Sequence, residues 1–328
     1  MIALFKQKSP GNIGMLFIFG LLIKLPIFIY PKIATPSEAD GKAYHWIFSF
    51  FDLPPNLIIA SVIAFGLLYL QALLITILVN EYRMTGRPTF LPAMSYLLIT
   101  SLLPEWNYLS PPLIATTFIM WAISKLFRLY NLPAANSKIF NIGLLIGLAS
   151  FFYFPSLLFS ICIFVGMMVL RPFRINEFVL LIVGIASPYY FYSIYLFLTD
   201  RFALQQIIPS NYLNAPYMRN SVWSVASAVF LGVPFVAGGY YIQTHLRKML
   251  IQARKNWSVL LLYLVVALFI AFINSSGLFT NWIIMIAPFA AFHACTYFYP
   301  PRKWLPIAIF WTMLAFILTQ QYATNAWH

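Results

Sequence analysis

Two polar stretches hold most of the side chains that could do chemistry. The first contains Glu38 and Asp40, two carboxylates separated by one residue, followed by Lys42 and His45. A positioned carboxylate can take a proton from an attacking hydroxyl group, and two carboxylates together can bind a divalent cation. Acidic residues also offset the positive end of a helix dipole. The sequence leaves both interpretations of Glu38 and Asp40 open, and a headgroup-facing role is the simpler one for His45.

The second polar stretch, residues 200–220, contains two arginines and two tyrosines: Arg201, Tyr212, Tyr217 and Arg219. The planar guanidinium group of arginine suits the binding of phosphate. Arginine and tyrosine also anchor membrane proteins to lipid headgroups, so an ordinary interfacial loop is the alternative. The sequence contains no Gly-rich phosphate-binding loop and no His/Cys cluster with metal-binding spacing.

The composition is that of a membrane protein. Of the 328 residues, 62% are hydrophobic and 8% are charged, whereas soluble domains have about 45–50% and about 25%. A soluble enzyme, a disordered chain and a nucleic-acid-binding domain are therefore excluded. The net charge of +13 is the excess of cytoplasmic Lys and Arg expected of a polytopic protein, with no nucleic-acid partner.

Apolar runs of the length that crosses a bilayer predict an all-α protein of about eleven transmembrane helices. The first run is interpreted as a retained helix, and not as a cleaved signal peptide. The predicted spans are 13–31, 57–79, 89–104, 110–127, 139–153, 156–170, 177–199, 221–243, 257–273, 279–298 and 304–320.

The basic residues orient these spans. With the N-terminus in the cytoplasm, fifteen of the twenty Lys and Arg residues lie inside and four lie outside, as the positive-inside rule expects. Lys24 falls within the first span, where its long side chain is expected to snorkel towards the interface. Five of the seven acids lie on the outer face, so chemistry is expected there.

The first outer loop, 32–56, contains a predicted amphipathic helix that lies in the outer headgroup region. Ser37 and Asp40 have the spacing of a capping box, and Trp46 is a candidate interfacial anchor. The apolar face has helical spacing and consists of Tyr44, Ile47, Phe48 and Phe51. Elsewhere, close helix packing is expected at the small residues Gly143, Gly147, Gly238 and Gly239.

The layout of the chain resembles the GT-C glycosyltransferases, which take a sugar from a polyprenyl-phosphate carrier on the outer face of a membrane. The resemblance lies in the inside N-terminus, the acid-containing stretch Ser37–Tyr44, the Gly-containing stretch Asn141–Ala149 and the outer loop after helix seven. It implies a GT-C-like module of seven helices over residues 1–220. Residues 221–328 then form a four-helix bundle within the same membrane unit.

The resemblance also implies roles for individual residues. Asp40 or Glu38 would be the catalytic base, and Arg201, Arg219 and Lys42 would bind the donor phosphate. No cofactor is required, although Glu38 and Asp40 could hold a divalent metal. The partners would be membrane lipid and a polyprenyl-phosphate-linked sugar. The expected substrate-binding residues are His45, Glu105, Trp106, Tyr108, Tyr212 and Tyr217.

Two further functions remain open from the sequence. A transporter of lipids or envelope precursors would need a cavity reachable from both sides of the membrane. A non-catalytic scaffold of an envelope complex would be a packed bundle with unknown protein partners. The chain also resembles bacterial inner-membrane proteins of the Bacteroidota, which implies a location but no activity.

Overall fold

The structure is a computed structural model in which residues 2–7, 9, 11–37, 40–51, 54–132, 135–172, 174–200, 222–273, 279–302 and 304–323 are described. Across these ranges the chain forms helices and two isolated β-bridges, with no strand. The prediction of an all-α fold is confirmed for this part of the chain.

The described ranges form fourteen α-helices and four short 3₁₀ segments. The 3₁₀ segments are Pro104–Asn107, Phe154–Leu158, Leu246–Lys248 and Phe279–Met285. The α-helices are α1 (Ile2–Phe5), α2 (Gly11–Ile23), α3 (Pro26–Ile29), α4 (Lys42–Phe51), α5 (Pro54–Glu81), α6 (Leu91–Thr100), α7 (Pro111–Phe127), α8 (Asn136–Phe152), α9 (Phe159–Leu170), α10 (Ile175–Leu198), α11 (Val222–His245), α12 (Ile251–Ala271), α13 (Ile286–Phe298) and α14 (Trp304–Ala323).

The helix lengths are those of an integral membrane protein. Five shorter apolar helices of 10–17 residues occupy the remaining predicted spans. The crossing number of eleven, the cytoplasmic N-terminus and the division at residue 220 stay predictions. The six segments long and apolar enough to cross a membrane are Asn56–Glu81, Ile175–Leu198, Val222–Lys248, Ile251–Ala271, Phe279–Phe298 and Trp304–Gln321.

Glycines bring α8 and α10 into backbone contact. A Cβ atom added to Gly143 would lie 2.3 Å from the carbonyl oxygen of Leu181, and one added to Gly147 would lie 2.5 Å from that of Ile185. Only glycine allows this approach, as in other helix pairs packed through small residues. The predicted close packing is confirmed here and at Gly238, which contacts α13. It is wrong for Gly239, where an added Cβ atom would have no atom of another described residue within 4 Å.

One polar network in the bundle interior pairs side chains from three helices, which lowers the cost of burying them in an apolar surrounding. Gln71 on α5 donates from Nε2 to the Leu113 carbonyl oxygen at 2.8 Å and to the Thr117 hydroxyl at 2.7 Å. Tyr96 on α6 donates its hydroxyl proton to Oε1 of the same glutamine. This network joins α5, α6 and α7.

Replacing Gly143 with alanine tests the α8–α10 contact. One helix has to shift to accommodate the new Cβ atom, and overpacking of this kind costs about 1–3 kcal/mol. We expect a lower Tm for Gly143→Ala in detergent. The control is Gly66→Ala on α5, where no atom lies within 4 Å of the new Cβ and alanine is the better helix former. Equal Tm values for the two variants would contradict such close packing.

Candidate functional site

Four segments pack together at one end of the bundle, and we call their described residues the cap: 30–37 with 40–44, 103–110, 153–158 and 279–285. Ile33 forms a parallel bridge with Leu109, and Asp40 forms an antiparallel bridge with Tyr153. The Gly41 amide donates to the Phe152 carbonyl oxygen at 3.0 Å. The first loop therefore lies on the second loop and on the end of α8.

Asp40 lies in this cap with 8% of its surface exposed. The Ser37 amide donates to Oδ2 of Asp40 at 2.7 Å, and the Asp40 amide donates to the Ser37 carbonyl oxygen at 3.1 Å. The predicted amphipathic helix is present as α4, but it begins at Lys42. The capping-box prediction is therefore wrong, because Ser37 lies too far from the helix to cap it. The Ser37–Asp40 pair closes a turn before the helix.

Burial dominates the electrostatics around Asp40. It raises the pKa of the carboxyl group above its ordinary value, and the hydrogen bonds from Ser37 and the nearby His45 only partly oppose the effect. Burial, together with the charge of Asp40, also raises the pKa of the Tyr44 and Tyr153 hydroxyl groups. A carboxylate with a raised pKa is a stronger proton acceptor than an ordinary aspartate.

Tyr44 ties α4 to two loops of the cap. Its side chain is fully buried, and its hydroxyl group lies 2.6 Å from the carbonyl oxygen of Ala34 and 3.0 Å from that of Leu109. Trp46, two residues later, is 57% exposed. The helix thus has the inward and outward faces that its sequence predicts.

Glu105 and Trp106 join the 103–110 and 279–285 segments of the cap. The Phe279 amide donates to Oε2 of Glu105 at 2.7 Å, and Nε1 of Trp106 donates to the Phe279 carbonyl oxygen at 2.8 Å. Trp106 is only 4% exposed. Burial, with a smaller effect of Glu105, raises the pKa of Tyr108 to about 12. Glu105 and Trp106, two of the expected substrate-binding residues, thus form hydrogen bonds within the cap, and Tyr108 lies close to them.

Lys24 does not snorkel, and that prediction is wrong. The side chain has no exposed surface, and Nζ donates to Oδ1 of Asn107 in the second loop of the cap. The physical reason is the interruption between α2 and α3, which begins with Pro26. The break turns Lys24 into the protein, where an amide oxygen replaces water as the partner of the ammonium group.

A groove with a volume of about 680 Å³ opens beside the cap. Tyr192 on α10 lines the groove, with ring centroids 5.0 Å from Phe151 and 6.2 Å from Trp46. The groove was not predicted from the sequence, where its only signal is the density of aromatic residues late in the predicted spans. The lining residues come from α4, α8 and α10: Trp46, Leu148, Phe151, Pro188, Tyr192 and Tyr195.

The backbone directly after Asp40 contacts the backbone of a residue that lines the groove. A Cβ atom added to Gly41 would lie 1.9 Å from the carbonyl oxygen of Phe151, so the chain next to Asp40 touches a residue that lines the groove. Lys42 and His45 follow on α4 and are half-buried. A buried carboxylate and an apolar aromatic groove therefore share one end of the bundle.

Several expected site residues lie outside the described ranges. These are Glu38, Arg201, Tyr212, Tyr217 and Arg219. In the part of the chain that is described, no group of three or more His, Cys, Asp and Glu side chains comes together.

Comparison with known proteins leaves the family undecided. No family model matches the chain, and neither a curated protein nor a solved structure matches it.

Variants of Glu105 test its structural role. We expect Glu105→Ala to lower the Tm, since a hydrogen bond to a charged group contributes about 1.5–3 kcal/mol. Glu105→Gln keeps an oxygen in reach of the Phe279 amide and should retain most of the stability. Thermal unfolding in detergent measures both variants. If Glu105→Gln and Glu105→Ala lowered the Tm equally, the hydrogen bond to the Phe279 amide would not be the source of the stability that Glu105 provides.

Asp40→Asn should fold and be at least as stable as the wild type at neutral pH. Because the pKa of Asp40 is raised in the folded state, its ionised form costs stability, and asparagine keeps an oxygen for the Ser37 amide. This cost is fully present above the folded pKa. It disappears as the pH falls through that value towards the unfolded one of about 3.9. Thermal unfolding across pH measures the difference.

Asp40→Ala is the comparison for that experiment, because it removes the acceptor of the Ser37 amide and leaves that donor unpaired. Such a loss costs about 1–3 kcal/mol. If Asp40→Asn were as unstable as Asp40→Ala at neutral pH, the carboxylate would be a stabilising group. The argument for a functional Asp40 would then fail.

Proposed function

We propose that the protein is a membrane glycosyltransferase that moves a sugar from a polyprenyl-phosphate carrier to an acceptor on the outer face. One observation carries the proposal: the buried Asp40 directly precedes Gly41, whose backbone contacts Phe151 in the lining of an apolar aromatic groove. The carboxylate suits proton abstraction, and the groove suits an isoprenoid chain. A location in the bacterial inner membrane belongs to the same proposal.

Asp40 is the proposed base. Its carboxylate takes the proton of the acceptor hydroxyl group as that oxygen attacks the anomeric carbon. A bond forms between the acceptor oxygen and the anomeric carbon, and the bond from that carbon to the phosphate oxygen breaks. The carrier leaves as a lipid phosphate, and the configuration at the anomeric carbon of the sugar is inverted. A buried aspartate with a raised pKa favours this step, and perturbed pKa values of this kind cluster at functional sites.

The groove is the proposed site of the carrier chain. Its lining is almost entirely carbon, and four of its six lining residues are aromatic. Apolar surface of this kind binds a hydrocarbon chain without competing for hydrogen bonds. Tyr195 lines the groove and is 54% exposed, and we propose that a carrier chain enters from the bilayer beside its ring.

Cationic groups complete the proposed donor site. Lys42 begins α4 directly after Gly41. Among the residues that the structure describes, its ammonium group is the proposed partner of the donor phosphate. Arg201 and Arg219 are the further candidates, since a preorganised cation stabilises charge that develops on a leaving phosphate. A monophosphate donor needs no metal. If Glu38 and Asp40 bind one, a chelator will lower activity.

Binding of a radiolabelled polyprenyl monophosphate to the purified full chain in nanodiscs tests the proposal. We expect saturable binding to the wild type. Loss of one aromatic contact in Tyr195→Ala should weaken it about three- to tenfold. Tyr240→Ala is the matched control, because Tyr240 is 66% exposed on α11 and does not line the groove. The double variant Arg201→Ala/Arg219→Ala should also bind less.

Asp40→Asn separates binding from catalysis. It should bind the carrier phosphate as the wild type does, while sugar transfer from polyprenyl-phosphate-linked donors falls about 10²–10⁴-fold, the contribution of a general base. Absence of saturable binding by well-folded wild-type protein would contradict the proposal. Binding without any effect of Tyr195→Ala would remove the groove from it.

A further inference from the structure

A buried ion pair lies at the end of α8 and α10 that is far from the cap. Arg171 follows α9, and Glu177 is in the first turn of α10. Nη2 of Arg171 lies 2.8 Å from Oε1 of Glu177, with the two side chains 5% and 4% exposed. Nε and Nη1 of Arg171 are also buried, and they have no hydrogen-bond partner in the described part of the chain. Buried donors of this kind call for an acceptor.

Two helix N-termini lie side by side at this place. Gly143 contacts Leu181 and Gly147 contacts Ile185, so α8 and α10 run parallel in close contact. Their first turns therefore meet at the same end, where amide groups without intrahelical partners carry partial positive charge. The ion pair to Glu177 places the Arg171 guanidinium group at the first turn of α10.

Two further cationic side chains lie at these helix ends. Lys138 in the first turn of α8 and Arg174 directly before α10 are both exposed. Cations beside two helix N-termini favour an anionic ligand over a cation or a neutral group.

An apolar stripe leads away from these cations along α10. It consists of side chains at helical spacing that are 68%, 53% and 64% exposed, namely Ile175, Val179 and Ile182. Charged donors at the end of a helix that continues as apolar surface match a phosphate headgroup followed by acyl chains. A free phosphate ion would use the donors but not the stripe.

We propose that the first turns of α8 and α10, with Arg171, Arg174 and Lys138, form a binding site for the phosphate group of an anionic membrane lipid. Nε and Nη1 of Arg171 are the donors to the phosphate oxygens, and the acyl chains lie along the stripe of α10. We call this the Arg171 site. It is separate from the cap and independent of sugar transfer.

Native mass spectrometry of the full chain tests the Arg171 site, with added phosphatidylglycerol as the probe and phosphatidylcholine of the same acyl chains as the reference. We expect one phosphatidylglycerol to be retained in preference to phosphatidylcholine. Arg174→Ala should weaken this binding about fivefold, the effect of one basic residue near a lipid phosphate. Arg247→Ala is the matched control, since Arg247 is exposed in the Leu246–Lys248 turn after α11 and should not change it.

Glu177→Gln distinguishes a lipid site from a purely structural ion pair. Glutamine keeps an oxygen for Nη2 of Arg171 and removes the opposing charge, so the affinity for phosphatidylglycerol should rise about fivefold or more. Competition with millimolar inorganic phosphate separates the two sources of the ligand: no displacement supports the lipid, and full displacement supports free phosphate. Unchanged or weaker binding in folded Glu177→Gln, or equal binding in Arg174→Ala and Arg247→Ala, would overturn the proposal.

Discussion

A contact between two stretches of backbone, with no side chain between them, fixes the cap on the bundle. At Gly41 the chain lies so close to the end of α8 that a Cβ atom would be 1.9 Å from the carbonyl oxygen of Phe151. The Gly41 amide also satisfies the Phe152 carbonyl oxygen, one of the groups that a helix end leaves unpaired. Asp40 directly precedes this contact, α4 begins directly after it, and Phe151 lines the groove, so the contact connects the buried carboxyl group, the helix and the groove.

Most helices could be predicted from the sequence because their cause is local. Apolar runs fold as helices wherever the backbone has to satisfy its own hydrogen bonds, and α4 follows from the helical spacing of its apolar residues. What failed was the detail at helix ends. Lys24 was expected to reach water, but the break before Pro26 turns it inward. Ser37 was expected to cap a helix that begins only at Lys42.

The candidate site could be predicted only in part, because most of its contacts join distant parts of the chain. Asp40 was identified by residue type and loop position. The roles of Glu105 and Trp106 depend on Phe279, more than 170 residues away, and no local pattern carries that information. The groove was missed for the same reason, since aromatic residues in a membrane span have no signal that separates a lipid-facing ring from a ligand-facing one.

The pairing of Lys24 with Asn107 has a consequence for the order in which the protein assembles in the membrane. Lys24 lies in the predicted first span, 13–31, and a lysine at the centre of a membrane span costs about 2.5–3.5 kcal/mol when that span inserts alone. Its amide partner is more than eighty residues further along the chain, so it is synthesised only after α5 and α6. We therefore expect the first helix to remain loosely inserted during translation, and to settle when the 103–110 loop arrives and covers its ammonium group.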